Sequence, residues 1–202
     1  MEKLKEFYKN KKILITGITG FKGSWLASML LQLNAKVYGI GYNPNKNKKL
    51  FYNLEIDKKI SLKNINITDY NKLKKFIKSV EPDVIFHLAA QPLIFESYVS
   101  PKETINVNTM GTLNILEISR DLKKLKSLVC VTSDKCYKSN NSTKGFKEND
   151  VLGGEDPYSA SKASAEIIIN SYIKSYFLKS RIGVSSARAG NVIGGGDWSG
   201  KR

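Results

Sequence analysis

Tyr158-Ser159-Ala160-Ser161-Lys162 sets a phenol and an ammonium one helical turn apart, on a shared helix face. A tyrosine of ordinary pKa ~10 is a poor base at neutral pH, but a cation one turn away stabilises its phenolate. A second pair, Asp134-Lys135, follows Thr132 and Ser133, and a neighbouring acid and amine can donate and accept protons. A third constellation, Gly17-Ile18-Thr19-Gly20-Phe21-Lys22-Gly23, follows the run KKILIT. Gly17 permits a tight turn, Gly20 lets backbone approach a pyrophosphate, and Gly23 lets a helix pack on its strand. Amides and dipole at the helix start then hold the anion, so these residues are the expected dinucleotide site.

Positioning these groups requires strands that end where helices begin. Six runs read as strands: 11–17, 35–41, 60–66, 83–89, 127–133 and 182–188. Several are apolar without alternation, as strands covered on both faces are. Between them lie amphipathic stretches. Trp25, Leu26, Met29, Leu30 and Leu33 share one face, and Leu73, Phe76, Ile77 and Val80 another. Two longer helical patterns cover 103–122 and 157–178, the second opened by Pro157. The alternation predicts an α/β fold with a doubly wound parallel sheet. Substrates of such sheets sit at the carboxyl ends of the strands, where Thr132–Lys135 falls. The second strand ends Gly39-Ile40-Gly41-Tyr42-Asn43-Pro44, with neither an acid for ribose hydroxyls nor an arginine for a 2′-phosphate; NAD is favoured over NADP. Asn66, with Ile67, could meet the adenine edge or make a turn before a helix. Lys162 could also hold the nicotinamide ribose.

Composition narrows the classes. The 202 residues are 41% hydrophobic and 25% charged, the profile of a globular domain. The net charge of +15 is carried by lysines scattered through most elements, and only Arg120, Arg181, Arg188 and Arg202 have the planar fork that nucleic-acid readers favour. No nucleic-acid partner is therefore expected; the charge suits an anionic small substrate. No apolar stretch is long enough to span a membrane, and the N-terminus MEKLKEFYKNKK has no signal-peptide core, so a cytoplasmic protein without membrane contact is expected. Cys130 reads as a core residue and Cys136 as a free thiol in a reducing compartment. His87, the single histidine, reads as buried and hydrogen-bonded, and no cluster suggests a metal.

The succession GITGFKGSWL, FHLAAQP, NTMGT, TSDKCY, YSASK and ARAGNVIGGGDW, from about Lys12 to Trp198, resembles extended short-chain dehydrogenases/reductases that act on nucleotide sugars. Within these, FKGSWL, SDKCY and RAGNVIGGGDW are similar to the CDP-glucose 4,6-dehydratases, where Asp-Lys replaces the more usual Asp-Glu. The resemblance implies a Rossmann-type NAD-binding domain over 1–190, with 191–202 beginning a nucleotide-sugar-binding domain. It implies a lyase that converts CDP-glucose to CDP-4-keto-6-deoxyglucose by internal hydride transfer. Tyr158 with Lys162 would serve the 4-hydroxyl, Ser133 would hydrogen-bond it, Lys135 would take the C5 proton, and Asp134 would protonate the departing 6-hydroxyl. Leu88, Ala89 and Ala90 would flank the cofactor with Gly17, Thr19, Gly20, Phe21, Lys22 and Gly23. Gln91, Asn108, Arg188 and Asn191 are the candidate substrate residues. Asn108 also fits a support role through helix hydrogen bonds, and loop anchoring is the alternative for Arg188 and Asn191. Relatives pair through a four-helix bundle, so a homodimer through 103–122 and 157–178 is expected, with Ile167, Tyr172, Ile173 and Tyr176 contributing. Another NAD-dependent nucleotide-sugar epimerase or dehydratase, and a dinucleotide-binding domain without catalysis, stand as alternatives.

Overall fold

The computed structural model describes residues 1–43, 49–139 and 145–197. Lys46, Lys48, Trp198 and the end of the expected 191–202 segment lie outside the described residues. In chain order the elements are α1 (Glu2–Tyr8), β1 (Lys12–Thr16), α2 (Phe21–Gln32), β2 (Lys36–Gly41), α3 (Lys49–Asn53), β3 (Ser61–Asn64) and α4 (Tyr70–Val80). They continue with β4 (Val84–His87), α5 (Ile94–Val99), α6 (Pro101–Ile105), α7 (Gly111–Arg120), β5 (Ser127–Val131), α8 (Pro157–Tyr172) and β6 (Gly183–Ala187). All six expected strands form, and among the described residues they make one parallel sheet ordered β3-β2-β1-β4-β5-β6. The doubly wound α/β architecture is thus the observed one.

Side-chain alternation along the strands divides the core into two layers. Leu14, Ile85 and Leu128 point to one face, where Leu73 and Ile77 of α4, Ile115 and Leu116 of α7, and Ile169 of α8 cover them. Ile13, Ile15, Val37 and Val84 point to the other, under Ala27 and Leu30 of α2 and Phe51 of α3. The helices start and stop on local chemistry. Asp69 caps α4 by accepting from Lys72 N, and Glu81 closes it in the left-handed conformation. Asp156 caps α8 through Ser159 N ahead of Pro157.

Two expectations change in detail. The buried face of α2 is Gly23, Ser24, Ala27 and Leu30, whereas Trp25 and Met29 are 46% and 44% exposed. Close approach of this helix to its strand favours small side chains, which an apolar-periodicity reading passes over. The stretch 103–122 is α6 and α7 joined by a π-helical turn, Asn106–Met110, and 157–178 is α8 continued by another, Ile173–Phe177.

The register fixes where the site must lie. Ile40, Thr16, His87, Cys130 and Ser186 stand side by side across the sheet. The segments leaving β1, β4, β5 and β6 therefore emerge together at one edge, and the strand order reverses between β1 and β4.

Candidate active site

The turn after β1 is built by two glycines for different reasons. Gly17 sits at φ +71°, and a Cβ there would lie 2.7 Å from Ala89 N. A Cβ on Gly23 would lie 2.3 Å from Gly17 O, so α2 can begin against the turn only without one. Ser24 secures that start by donating to Gly20 O. The resulting cleft, about 400 Å³, is walled by Gly17, Thr19–Gly23, Tyr42, Ile65–Ile67 and Leu88–Pro92, with Glu103 and Val107 beyond. Every residue expected to hold a dinucleotide, apart from Tyr158 and Lys162, lines it. Asn66 makes a turn and faces the cleft at once: its Oδ1 accepts from Thr68 N while the residue remains in the wall. A glycine cradle at a helix start fits a pyrophosphate. Among the described residues, the wall after β2 carries Tyr42 and no carboxylate.

Behind the cleft wall runs a polar brace. Thr112 Oγ1 donates to Asn108 O and so accepts from His87 Nε2. That fixes the proton on Nε2 and leaves Nδ1 to accept from Thr16 Oγ1, 2.7 Å away, which in turn accepts from Ala89 N. Burial pushes the imidazole pKa down to about 3, and the Lys162 charge adds to this, so the ring is neutral. Asn108, turned inward by the π turn, accepts from Gln91 N (2.8 Å) and donates to Gln91 O (3.1 Å) and Ser161 Oγ (2.9 Å). Ser161 Oγ donates to Tyr158 O. One network thus ties the Ala89–Gln91 wall to the helix that carries Tyr158. Gln91 spends its own amide on Leu93 and Thr104.

Tyr158 and Lys162 are both buried on α8, with Nζ 6.0 Å from the centre of the phenol ring. They lie beside the cleft rather than in its lining. Burial, and then the Lys22 ammonium, push the Lys162 pKa down to about 8. At the end of β5, Asp134–Cys136 forms a single 3₁₀ turn. Ser133 Oγ accepts from Lys135 N and donates to Asp134 Oδ1, and Lys135 Nζ lies 3.3 Å from Asp134 Oδ2. The acid and amine are both partly open to solvent, at the same sheet edge as the glycine turn.

Arg188 faces inward: Nη1 donates to Tyr137 Oη and Glu148 O, and Nη2 to Glu166 Oε2. Asn191 is exposed on the segment that leaves β6. That segment folds back over α2, where Trp25 Nε1 donates to Gly195 O. Sequence reasoning missed Thr16 and Glu166. Glu166 stands four residues after Lys162, and that spacing on an already suspected helix face was the available signal. Cys130 and Cys136 are buried and unbridged, and burial pushes their thiols up to about 12 and about 11. Among the described residues no group of metal-ligating side chains assembles, and no helix is long and apolar enough to cross a membrane.

Residues 14–194 match the family model described as GDP-mannose 4,6 dehydratase. The CDP-glucose 4,6-dehydratase of Salmonella typhimurium is 40% identical over 200 residues, covering 96% of this chain and 56% of the relative. The GDP-mannose 4,6-dehydratase of Vibrio cholerae is 31% identical over 174 residues, 82% of this chain and 46% of the relative. Among solved structures, epimerase Mth375 from Methanothermobacter thermautotrophicus superposes with a TM-score of 0.78 at 26% identity, covering 93% of this chain and 53% of that one. The chain spans about half the length of the curated relatives it matches.

Proposed function

The chain belongs to the GDP-mannose 4,6 dehydratase family, and from that premise we propose that it forms the cofactor-binding part of an NAD-dependent nucleotide-sugar 4,6-dehydratase whose substrate is CDP-glucose. The arrangement that supports this reading is two candidate proton-handling pairs near the glycine turn: Lys162, one turn after Tyr158, is close enough to Lys22 to feel its charge, and Asp134-Lys135 leaves β5 at the sheet edge where that turn leaves β1. The Asp134-Lys135 dipeptide and the 40% identity to a CDP-glucose 4,6-dehydratase support the choice of sugar nucleotide. Residues 1–190 form the dinucleotide-binding unit, and 191–202 lead toward a part that binds the nucleotide sugar. Gly17–Gly23 and the Leu88–Ala90 wall hold NAD.

When bound, NAD supplies the hydride acceptor for C4 and the donor for C6. Tyr158 Oη, held as phenolate by the Lys162 cation, takes the proton of the 4-hydroxyl, which Ser133 orients. A ketone at C4 acidifies the C5 proton, and Lys135 Nζ removes it. Asp134 delivers a proton to the 6-hydroxyl as the C6–O bond breaks, and water leaves with a C5–C6 double bond in place. Lys135 then returns its proton to C5. Gln91 and Asn108 support the site by shaping its wall.

We also propose that the protein is a homodimer through 103–122 and 157–178. Ile105, Met110, Ile167 and Tyr176 support this, because all four are exposed along those two stretches, whereas the expected Tyr172 and Ile173 are half-buried against the core.

The test is a substrate panel. The complete enzyme, incubated with CDP-glucose, dTDP-glucose and GDP-mannose, should form a keto-sugar product from CDP-glucose. Product from another of the three reassigns the substrate, and product from none refutes the reading.

A further inference from the structure

Glu166 is a buried carboxylate for which the reaction above has no use. It lies one helical turn beyond Lys162 and two beyond Tyr158, on their face of α8. Its Oε1 accepts from Thr132 Oγ1. Its Oε2 accepts from Ser186 Oγ at 2.9 Å and from Arg188 Nη2 at 2.7 Å. Thr132 immediately precedes Ser133, Asp134 and Lys135. Arg188, through Nη1, also reaches Tyr137 Oη and Glu148 O at 2.8 Å each, on the far side of the turn that carries the acid and amine. One carboxylate therefore joins the helix bearing the phenol to both ends of the turn bearing the second pair.

Packing does not demand a charge there. Neighbouring positions on α8 meet the core with Ala165 and Ile169, and an apolar contact avoids the desolvation cost of a buried ion pair. What the pair adds is direction: a guanidinium fork on a carboxylate fixes distance and angle together, which an apolar contact does not.

We propose that Glu166, clamped by Arg188, is a positioning residue that sets the register between Tyr158–Lys162 and Ser133–Lys135. The proposal rests on the reading that these two groups act on one substrate. Its effect is on the chemical steps, and substrate and cofactor binding are spared, because both carboxylate oxygens are already taken by Thr132, Ser186 and Arg188.

The experiment compares Glu166→Gln, Glu166→Asp and Thr132→Val with wild type in the complete enzyme, measuring kcat, KM, NAD affinity and melting temperature. Glu166→Gln should lower kcat at least about tenfold with KM and NAD affinity within about threefold, and Glu166→Asp should recover part of the loss. Thr132→Val removes one hydrogen bond and keeps the ion pair, so it reports if Glu166→Gln does not fold; its kcat should fall about threefold at unchanged KM. A kcat within about twofold of wild type in Thr132→Val, or a loss that only follows the folded fraction, overturns the proposal. Wild-type enzyme inert toward all three nucleotide sugars overturns the proposed function and this inference with it, and that result is seen before any variant is compared.

Discussion

Replacing Lys162 by methionine should stabilise the cofactor-free protein while abolishing its chemistry. The Lys162 pKa is lowered from 10.5 to about 8, by burial and then by the Lys22 ammonium. Each unit corresponds to ~1.4 kcal/mol, so the protonated side chain costs the folded state about 3 kcal/mol at neutral pH. The sign follows from proton counting. Between about pH 8 and 10.5 the unfolded chain keeps this proton and the folded chain has released it, so stability rises through that window. Below it both states are protonated, and the full cost is present. Methionine has similar length and no charge, so Lys162→Met should raise Tm at pH 7 by roughly 6–12 °C for a domain of this size. At pH 10 the gain should shrink to about a quarter of this. The groups that set this charge are Lys22, Glu166, Cys130 and Cys136, and all of them remain in the variant. Thermal unfolding of both proteins at the two pH values, without cofactor, isolates the Lys162 contribution as a difference of differences. A variant less stable than wild type at pH 7, or an equal shift at both pH values, refutes the buried-cation argument.

Two further outcomes follow from the same geometry. Lys135→Ala in the complete enzyme should abolish solvent-deuterium exchange at C5 of the substrate and leave NAD binding intact, read by NMR and by titration; preserved exchange removes Lys135 from its role as base. His87, the single histidine, should show ring-proton resonances that stay constant from pH 8 to pH 5, because its pKa is lowered to about 3. Its burial as a neutral ring also means that stability declines as pH falls below about 6.5, where the unfolded chain takes up the proton. A titration of those resonances centred near ~6.5 would contradict the Thr16–His87–Thr112 assignment.

The fold was legible because its strands announce themselves as short β-branched runs, and its crossovers as apolar stripes. Leu73, Ile77 and Val80 line the inner face of α4 as their spacing demands. The α2 face was misread because its contacts are made by Gly23, Ser24 and Ala27, whose burial leaves no apolar trace in the sequence. The glycine turn could be read residue by residue, since a positive φ at Gly17 and a near-zero clearance at Gly23 leave glycine as the only fit. The inward use of Asn108 could not be read in detail: the π turn that aims it has no sequence signature as strong as a cap or a proline. Glu166 escaped because an isolated glutamate on a helix normally faces water. Only the meeting of β5, β6 and α8 supplies the three donors that make its burial tolerable.

The charge pattern gives the site one further consequence. Lys22 and Lys162 lie close enough to repel, which adds to burial in holding the Lys162 pKa down. Burial alone would raise the Glu166 carboxyl, but hydrogen bonds from Arg188, Thr132 and Ser186 hold it below its ordinary value, so much of its charge is committed to Arg188. A pyrophosphate held on the glycine turn, as proposed for NAD, would relieve part of the repulsion that depresses Lys162. Binding the anion therefore favours the protonated lysine, the form that holds the Tyr158 phenolate. On the proposed reading, cofactor binding would in this way favour activation of Tyr158 through Lys22.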